Sequence, residues 1–212
     1  MHSFPSRAGI LSLTLLLAAC GGDEQSTGTS SSTATAHTMA INAEIAKQLP
    51  LDDQQDFEDA TRGLIASQKP LVVKNADGKV LWDMEKYAFI DGAAPDSVNP
   101  SLWRQAKLNN IHGLFEVTPG IYQLRGFDLA NITLIQGKTG WILVDPLTTA
   151  PTARNALAFA REQLGEQKIS AIIFTHSHID HFGGIDGVLS DSEREQLQVI
   201  APEGFMEEAS SE

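Results

Sequence analysis

The stretch T-H-S-H-I-D-H-F-G-G, at residues 175–184, has a higher density of histidines than any other part of this 212-residue chain. Three of the six histidines lie in it, at His176, His178 and His181, and Asp180 lies between them. Imidazole nitrogens and carboxylate oxygens are the ligand types that suit zinc and similar divalent metals. Since scattered surface histidines do not cluster in this way, the stretch predicts a metal site.

The residues around this stretch predict that it is a loop leaving a buried strand. Residues 169–174, I-S-A-I-I-F, form a short and mostly apolar run. Alternate residues of an extended chain point the same way, so we expect His176 and His178 to bind one metal. Asp180 and His181 follow where the chain turns, and we expect them to face a second metal. The spacing differs from the helical H-E-x-x-H motif, and the two glycines after it allow a tight turn.

The pattern His-x-His-x-Asp-His after a hydrophobic strand resembles the signature of the metallo-β-lactamase superfamily of binuclear metallohydrolases. Residues 96–117, 120–131 and 141–146 are similar to segments of one branch, the bacterial alkyl sulfatases, and the similarity extends over about residues 50–212. The resemblance implies two zinc ions in a complete active site, which lower the pKa of a bound water to about 7. It also implies hydrolysis of an alkyl sulfate ester to an alcohol and inorganic sulfate.

The resemblance assigns a role to each residue of the motif. His176 and His178 hold the first metal, and Asp180 and His181 hold the second. Asp180 is also assigned a catalytic role, because its carboxylate accepts a hydrogen bond from the bridging hydroxide. Sulfate-binding and alkyl-chain residues are not identified.

Asp145 is a further candidate, because it ends the apolar run I-L-V at the carboxyl end of a predicted strand. That edge of an α/β sheet is where sites are built. We predict that Asp145 hydrogen-bonds into the metal loop and orients the ligands there. A simple cap of the strand end is an equally good interpretation.

The order of the predicted elements indicates a layered α/β fold, since a strand, a helix and a strand in succession make a βαβ unit. Pro151 suits the first turn of the helix, and Gly165 suits its end. The strands are predicted at residues 120–125, 129–136, 141–144, 169–174 and 196–201, and the helix at residues 151–164.

Only part of the implied architecture is expected in this chain. The superfamily core is an αβ/βα sandwich of two facing halves, each a sheet with helices. A binuclear site needs more ligands, but no histidine follows His181, and we expect residues 209–212 to end the chain without a closing strand or helix. We therefore interpret residues 113–212 as the first, N-terminal half of a hydrolase domain, and the chain as a fragment of a longer enzyme.

Residues 39–112 are interpreted as an extension before this domain. A helix is predicted up to Pro50, a second helix at residues 53–67, a hairpin at residues 71–82 and a short helix from residue 99. The aromatic residues, including Tyr87, Phe89 and Trp103, and also His112 are expected to pack in the core or at an interface. The resemblance implies that this extension helps to form a homodimer.

The first part of the chain is predicted to direct export. Residues 1–19 resemble a signal peptide whose apolar region is too short to span a bilayer. L-A-A-C, ending at Cys20, resembles the lipobox of bacterial lipoproteins, which implies lipidation at Cys20 and anchoring in the outer membrane facing the periplasm. The alternative is an ordinary secretory signal with an unmodified thiol. Residues 20–38 are rich in Ser, Thr and Gly and are predicted to be a flexible linker.

Composition limits the function classes. The chain is 42% hydrophobic and 20% charged, as globular proteins are. Its net charge of −12 argues against a nucleic-acid partner. An anionic ester needs a local basic pocket, which total charge cannot reveal. Two alternatives remain: a superfamily hydrolase acting on thioesters, lactams or phosphodiesters, and a non-catalytic, membrane-tethered binding protein.

Overall fold

The computed structural model describes residues 33–189, 191–194 and 197–211, and its central element is a mixed sheet. The predictions for residues 1–19 and for Cys20 lie outside these residues. In the described part of the chain, no helix is both long enough and apolar enough to cross a membrane.

The main sheet has seven strands in the order β1-β4-β5-β6-β7-β8-β9, and β2 pairs with β3 in a separate hairpin. Neighbouring strands from β1 to β7 are antiparallel, whereas β7, β8 and β9 run parallel. The strands are β1 (Leu64–Ala66), β2 (Val72–Lys74), β3 (Val80–Asp83), β4 (Gly113–Thr118), β5 (Ile121–Arg125), β6 (Ile132–Gln136), β7 (Trp141–Val144), β8 (Ile169–Ile173) and β9 (Gln198–Ile200).

The helices precede the sheet, connect its strands or, for the last one, follow it. A 3-10 segment, Met84–Tyr87, follows the hairpin, and a second one, Ile185–Gly187, follows α5. The helices are α1 (Ala36–Gln48), α2 (Gln55–Thr61), α3 (Pro100–Asn109), α4 (Ala150–Leu164), α5 (Ile179–Phe182), α6 (Asp191–Arg194) and α7 (Phe205–Ser211).

The core forms where one face of the sheet meets α4. Leu114, Leu124 and Ile132 lie opposite one another on β4, β5 and β6, and all three are buried. The apolar face of α4 joins the same core cluster, as its sequence pattern predicts. Thr149 caps the start of the helix, since its hydroxyl accepts from the backbone N–H of Thr152, and Gly165 caps its end. Because α4 connects parallel β7 and β8, the predicted βαβ unit and α/β fold are confirmed.

The predicted helix at residues 53–67 is wrong in its second half. Helix α2 ends at Thr61, and Leu64–Ala66 is strand β1 instead. Gly63 separates the two with a φ of 74°, a conformation that glycine adopts at little cost. Its carbonyl accepts from the backbone N–H of Glu116, so pairing with β4 replaces the helical hydrogen bonds.

Three further expectations need correction. Strand β4 was not predicted, although its first three residues are buried. Helix α7 occupies the segment that was expected to end without regular structure. Phe89 does not pack in the core, because 70% of its surface is exposed, and its ring centroid lies 6.2 Å from that of Trp103; a position at an interface stays a prediction.

Five neighbouring strands begin or end along one side of the sheet, the side at right angles to the strand direction. The register places Gly113 beside Arg125, the start of β6 at Ile132 beside the end of β5, and Val144 beside Ile173. We call this edge, marked by these five residues, the site edge. The carboxyl ends of β5, β7 and β8 and the loops that leave them all lie along it.

Candidate metal centre

The predicted metal loop leaves β8 at the site edge. Phe174 is buried, and its backbone N–H donates to the carbonyl of Ile200 in β9. The chain then runs through Thr175 and His176 to His178, which precedes the single turn α5. The pattern of a buried strand followed by polar residues is therefore observed where the sequence predicts it.

The three histidines of the loop lie together. His176 Nε2 is 3.1 Å from His178 Nδ1, and the ring centroids of His176 and His181 are 4.0 Å apart. His181 Nε2 is 3.4 Å from Asp180 Oδ2. The structure thus brings all four predicted ligands into one cluster, with His178 next to His176 and Asp180 next to His181.

Asp145 connects the end of β7 with this cluster. Its carboxylate accepts from the backbone N–H of Thr175 at 2.8 Å and from the Thr175 hydroxyl at 2.7 Å. The same carboxylate is 2.7 Å from His181 Nδ1, which donates because a carboxylate has no proton to give. Asp145 is only 6% exposed and has a φ of 57°, which is uncommon outside glycine. Such backbone conformations cost about 1–3 kcal/mol and concentrate at functional sites.

Each of two histidines is held at one ring nitrogen and turns the other toward the cluster. His176 Nδ1 lies 2.9 Å from the Thr175 hydroxyl, so its Nε2 faces His178. His181 Nδ1 is held by Asp145, so its Nε2 faces Asp180. Metal-binding histidines commonly donate their second N–H to a carboxylate or another acceptor in this way.

The imidazole and carboxylate groups of the cluster are suitable ligands for a divalent metal, and the distance between the nitrogens of His176 and His178 fits a shared ion. Two nitrogens at about 2.0–2.1 Å from a tetrahedral zinc lie roughly 3.3 Å apart, and the observed nitrogens of His176 and His178 are 3.1 Å apart. In the described residues, however, no three His, Cys, Asp or Glu side chains converge on a common point. His176 and His178 lie within hydrogen-bond distance of each other instead.

Glycines allow the metal loop to approach the segment between β7 and α4. The backbone N–H of Gly184 donates to the carbonyl of Leu147 at 2.8 Å. A Cβ atom at Gly183 would lie 2.4 Å from the Thr148 carbonyl oxygen, and one at Gly184 would lie 2.0 Å from that of Pro146. Real Cβ atoms do not approach this closely, so these positions require glycine.

The loop at residues 126–131, which joins β5 to β6 at the site edge, was expected to be partly strand. Asp128 holds it in another conformation: its Oδ1 accepts from the Leu129 N–H and the Thr148 hydroxyl, both at 2.7 Å. Its Oδ2 accepts from the Thr152 hydroxyl at 2.5 Å. Sequence reasoning missed Asp128, yet a carboxylate between Phe127 and Leu129 is a signal for a buried and hydrogen-bonded group.

Replacing Asp128 with alanine is expected to lower the free energy of unfolding by about 3 kcal/mol, because the buried hydroxyl of Thr152 and the groups of Thr148 lose their acceptor. Urea denaturation followed by circular dichroism would measure the change. Asp186→Ala is the matched control, since its carboxylate is 61% exposed and its ion pair with Arg194 lies at the surface. Equal stability of the two variants would contradict a structural role for Asp128.

His112 packs in the interior, as predicted. It is buried, and its ring nitrogens lie 3.1 Å from the carbonyl oxygens of Asn110 and Gln68. Its Cβ would be 2.5 Å from a Cβ at Gly126, so it packs against the start of the 126–131 loop. These contacts belong to packing and not to the histidine cluster.

Comparison with known proteins identifies a matching family model and individual relatives that are named as alkylsulfatases. The family model described as "Metallo-beta-lactamase superfamily" matches residues 125–192. An (R)-specific secondary-alkylsulfatase from Pseudomonas sp is 52% identical over 182 residues, 84% of this chain and 27% of the relative. An alkyl/aryl-sulfatase from Saccharomyces cerevisiae is 44% identical over 178 residues, 82% of this chain and 28% of the relative.

A solved structure shares both fold and sequence with this chain. It is the stereoselective inverting sec-alkylsulfatase Pisa1 from Pseudomonas sp., with a TM-score of 0.80 and 52% sequence identity. The match covers 84% of this chain and 28% of that one. The chain therefore spans little more than a quarter of the length of the relatives that it matches.

Proposed function

We propose that this chain belongs to the alkylsulfatases of the metallo-beta-lactamase superfamily. It contributes part of the metal centre of an enzyme that hydrolyses alkyl sulfate esters to an alcohol and inorganic sulfate. Three relatives at 44–52% identity support the reaction class. They are named for secondary alkyl, alkyl/aryl and linear primary alkyl sulfates. Since the names share the sulfate ester and differ in the organic group, they support the ester and leave the alkyl group open.

One observation supports this proposal most directly: the motif side chains and Asp145 lie together at the site edge. Three imidazoles and two carboxylates from the segments that follow β7 and β8 form a continuous series of contacts between neighbours. A loose surface cluster would not have Asp145 buried beneath it in a strained backbone conformation.

Zinc is the metal that we propose, with two ions in a complete site. His176 and His178 would hold one ion, and Asp180 and His181 the other, in keeping with the pairs that the structure forms. When bound, zinc supplies Lewis acidity and makes water a stronger acid near neutral pH.

The chain's own residues prepare this chemistry. The Asp145 carboxylate accepts a hydrogen bond from His181 Nδ1, which leaves Nε2 as the ring nitrogen that faces the cluster and can bind a metal. The Thr175 hydroxyl, which Asp145 also binds, restrains His176. The Asp180 side chain is 26% exposed, so its carboxylate can accept a hydrogen bond from an attacking water.

The proposals for residues 1–38 are based on the sequence alone. We propose export, lipidation at Cys20 and an outer-membrane location facing the periplasm. For the next segment, residues 39–112, we propose that it helps to form a homodimer. Loss of membrane association in a Cys20→Ser variant, measured by fractionation, would test the anchor.

Because the chain contributes only part of the metal centre, the reaction is tested in the complete enzyme, by its zinc content and by its release of sulfate from dodecyl sulfate and octan-2-yl sulfate. We expect His176→Ala to lose zinc and to lower sulfate release more than about hundredfold, beyond the usual cost of losing an outer partner of a ligand. His37→Ala is the matched control, because His37 is exposed on α1. Faster turnover of a thioester, lactam or phosphodiester than of the sulfate esters would contradict the proposal. Zinc binding without turnover of any ester would favour a binding protein.

A further inference from the structure

Three phenylalanines pack together beside the metal loop. Phe174 follows β8 and enters the loop, Phe182 comes directly after His181, and Phe205 is the first residue of α7. The ring centroids of Phe174 and Phe182 are 6.0 Å apart, and each of them lies 5.3 Å from the centroid of Phe205. We call these three residues the phenylalanine cluster.

The contacts of Phe205 have geometries in which aromatic rings attract one another. The rings of Phe174 and Phe205 are stacked, with 24° between their planes, whereas the ring of Phe182 meets that of Phe205 edge-on, at 77°. Such pairs are favourable beyond the apolar area that they bury. Phe205 is only 9% exposed and Phe174 only 8%. Phe205 therefore packs in the interior, against both ends of the metal loop.

The chain after β9 brings Phe205 to this place. Strand β9 pairs with β8 in parallel, and the backbone N–H of Phe174 donates to the Ile200 carbonyl at 2.9 Å. The chain then turns at Gly204, where φ is 80°, and the backbone N–H of Phe205 donates to the Pro202 carbonyl at 3.2 Å. A residue that is distant in the sequence is thereby placed beside the loop.

The metal loop has a polar attachment and an apolar attachment. The polar attachment is Asp145, whose carboxylate accepts a hydrogen bond from His181 at 2.7 Å. The apolar attachment is the phenylalanine cluster. Phe174 lies two residues before His176, and Phe182 directly follows His181. The aromatic contacts therefore set the separation of the two chain segments that carry these histidines.

Loss of the Phe205 ring would disturb this separation. Truncation of a buried side chain leaves a cavity that its neighbours partly fill. Since the neighbours are Phe174 and Phe182, their relaxation moves the segments that carry His176 and His181. Metal ligands have to be held within about 0.5 Å of their productive positions, so a small displacement is enough to weaken binding.

We propose that Phe205 is a positioning residue for the metal centre. It acts through Phe174 and Phe182, and it holds the two ends of the metal loop at the separation that metal binding requires. This inference rests on the metal centre proposed above. It also gives α7 a functional role, although this segment was expected to have no regular structure.

The zinc affinity of the complete enzyme tests this role, and competition with a chromophoric chelator measures it. We expect Phe205→Ala to weaken zinc binding by about tenfold, the lower end of the cost of losing a group that orients a metal ligand. Phe205→Leu keeps most of the buried apolar volume, so its zinc affinity should return to within about threefold of wild type.

Phe159→Ala is the matched control. Phe159 is 8% exposed, and its ring packs against Phe127 with 5.5 Å between the centroids, outside the metal loop. The variant removes the same atoms from a similarly buried position. It should therefore lower the free energy of unfolding by a similar amount, but it should leave zinc affinity unchanged.

Hydrogen exchange of the metal-free enzyme, followed by mass spectrometry, separates a positioning role from a general loss of stability. The backbone N–H of Gly183 donates to the Ile179 carbonyl at 2.8 Å, so its exchange reports the order of the loop. Exchange over residues 174–184 should become about tenfold faster in Phe205→Ala and change less than about twofold in Phe159→Ala.

Two results would overturn the proposal. Phe205→Ala could bind zinc as tightly as wild type, or it could lose no more affinity than Phe159→Ala does. If the alanine variants do not fold, hydrogen exchange over residues 174–184 is compared between Phe205→Leu and Phe159→Leu, and equal exchange in the two would overturn the proposal.

His176→Ala separates this inference from the proposed function. If His176→Ala keeps its zinc, the proposed metal centre itself is wrong. If His176→Ala loses zinc and Phe205→Ala does not, the metal centre stands and only the role of Phe205 fails.

Discussion

Replacing Asp145 with alanine is expected to weaken zinc binding by about 10- to 100-fold, the usual cost of losing the outer partner of a metal-binding histidine. The carboxylate holds His181 Nδ1 at 2.7 Å and both polar groups of Thr175. Without it, the His181 ring is free to rotate and to place its proton on either nitrogen. The metal loop also loses its connection to the end of β7.

Competition with a chromophoric chelator would measure the zinc affinity of the Asp145 variants. Asp145→Asn should fall between wild type and Asp145→Ala, because the amide oxygen still accepts from Thr175 but carries no charge to stabilise the His181 N–H. Asp186→Ala removes an exposed carboxylate that follows the histidine motif closely in sequence, and it should leave zinc affinity unchanged. If Asp145→Ala lowers stability but not zinc affinity, Asp145 is only a cap of the strand end.

The βαβ part of the fold was predictable because its signals are local. The apolar face of α4, its proline near the start and Gly165 after its end identify one helix without tertiary information. The clustering of His176, His178 and His181 is likewise visible in six residues of sequence. The structure adds that Asp145 approaches this cluster, a contact that depends on the parallel pairing of β7 with β8.

The features that sequence reasoning missed depend on contacts between distant residues. Leu64 and Ile65 have the spacing of a helix face, but they lie in β1 because β4 offers hydrogen bonds some fifty residues away. In the sequence, Asp128 is an ordinary polar residue between two predicted strands, and only the fold places Thr148 and Thr152 beside it.

Replacing Gly184 with alanine is expected to destabilise the chain by about 3 kcal/mol, the upper end of the usual cost of overpacking. Its new Cβ would lie 2.0 Å from the Pro146 carbonyl oxygen and 2.9 Å from both the Ala153 Cβ and the Thr149 carbonyl oxygen. Backbone atoms cannot move aside as a flexible side chain can. The loop that follows the histidine motif must therefore shift away from the start of α4.

The control for this variant separates steric clash from backbone strain. Gly165→Ala introduces a Cβ where φ is 90° but where no atom lies within 4 Å, so it should cost only about 1–2 kcal/mol. Urea denaturation would give both free energies of unfolding, and chelator competition would give both zinc affinities. Only Gly184→Ala should weaken zinc binding, because only it displaces the segment joined to His181. If both variants bind zinc equally well, the close packing of the glycines against residues 146–149 serves the fold alone and does not position the metal ligands.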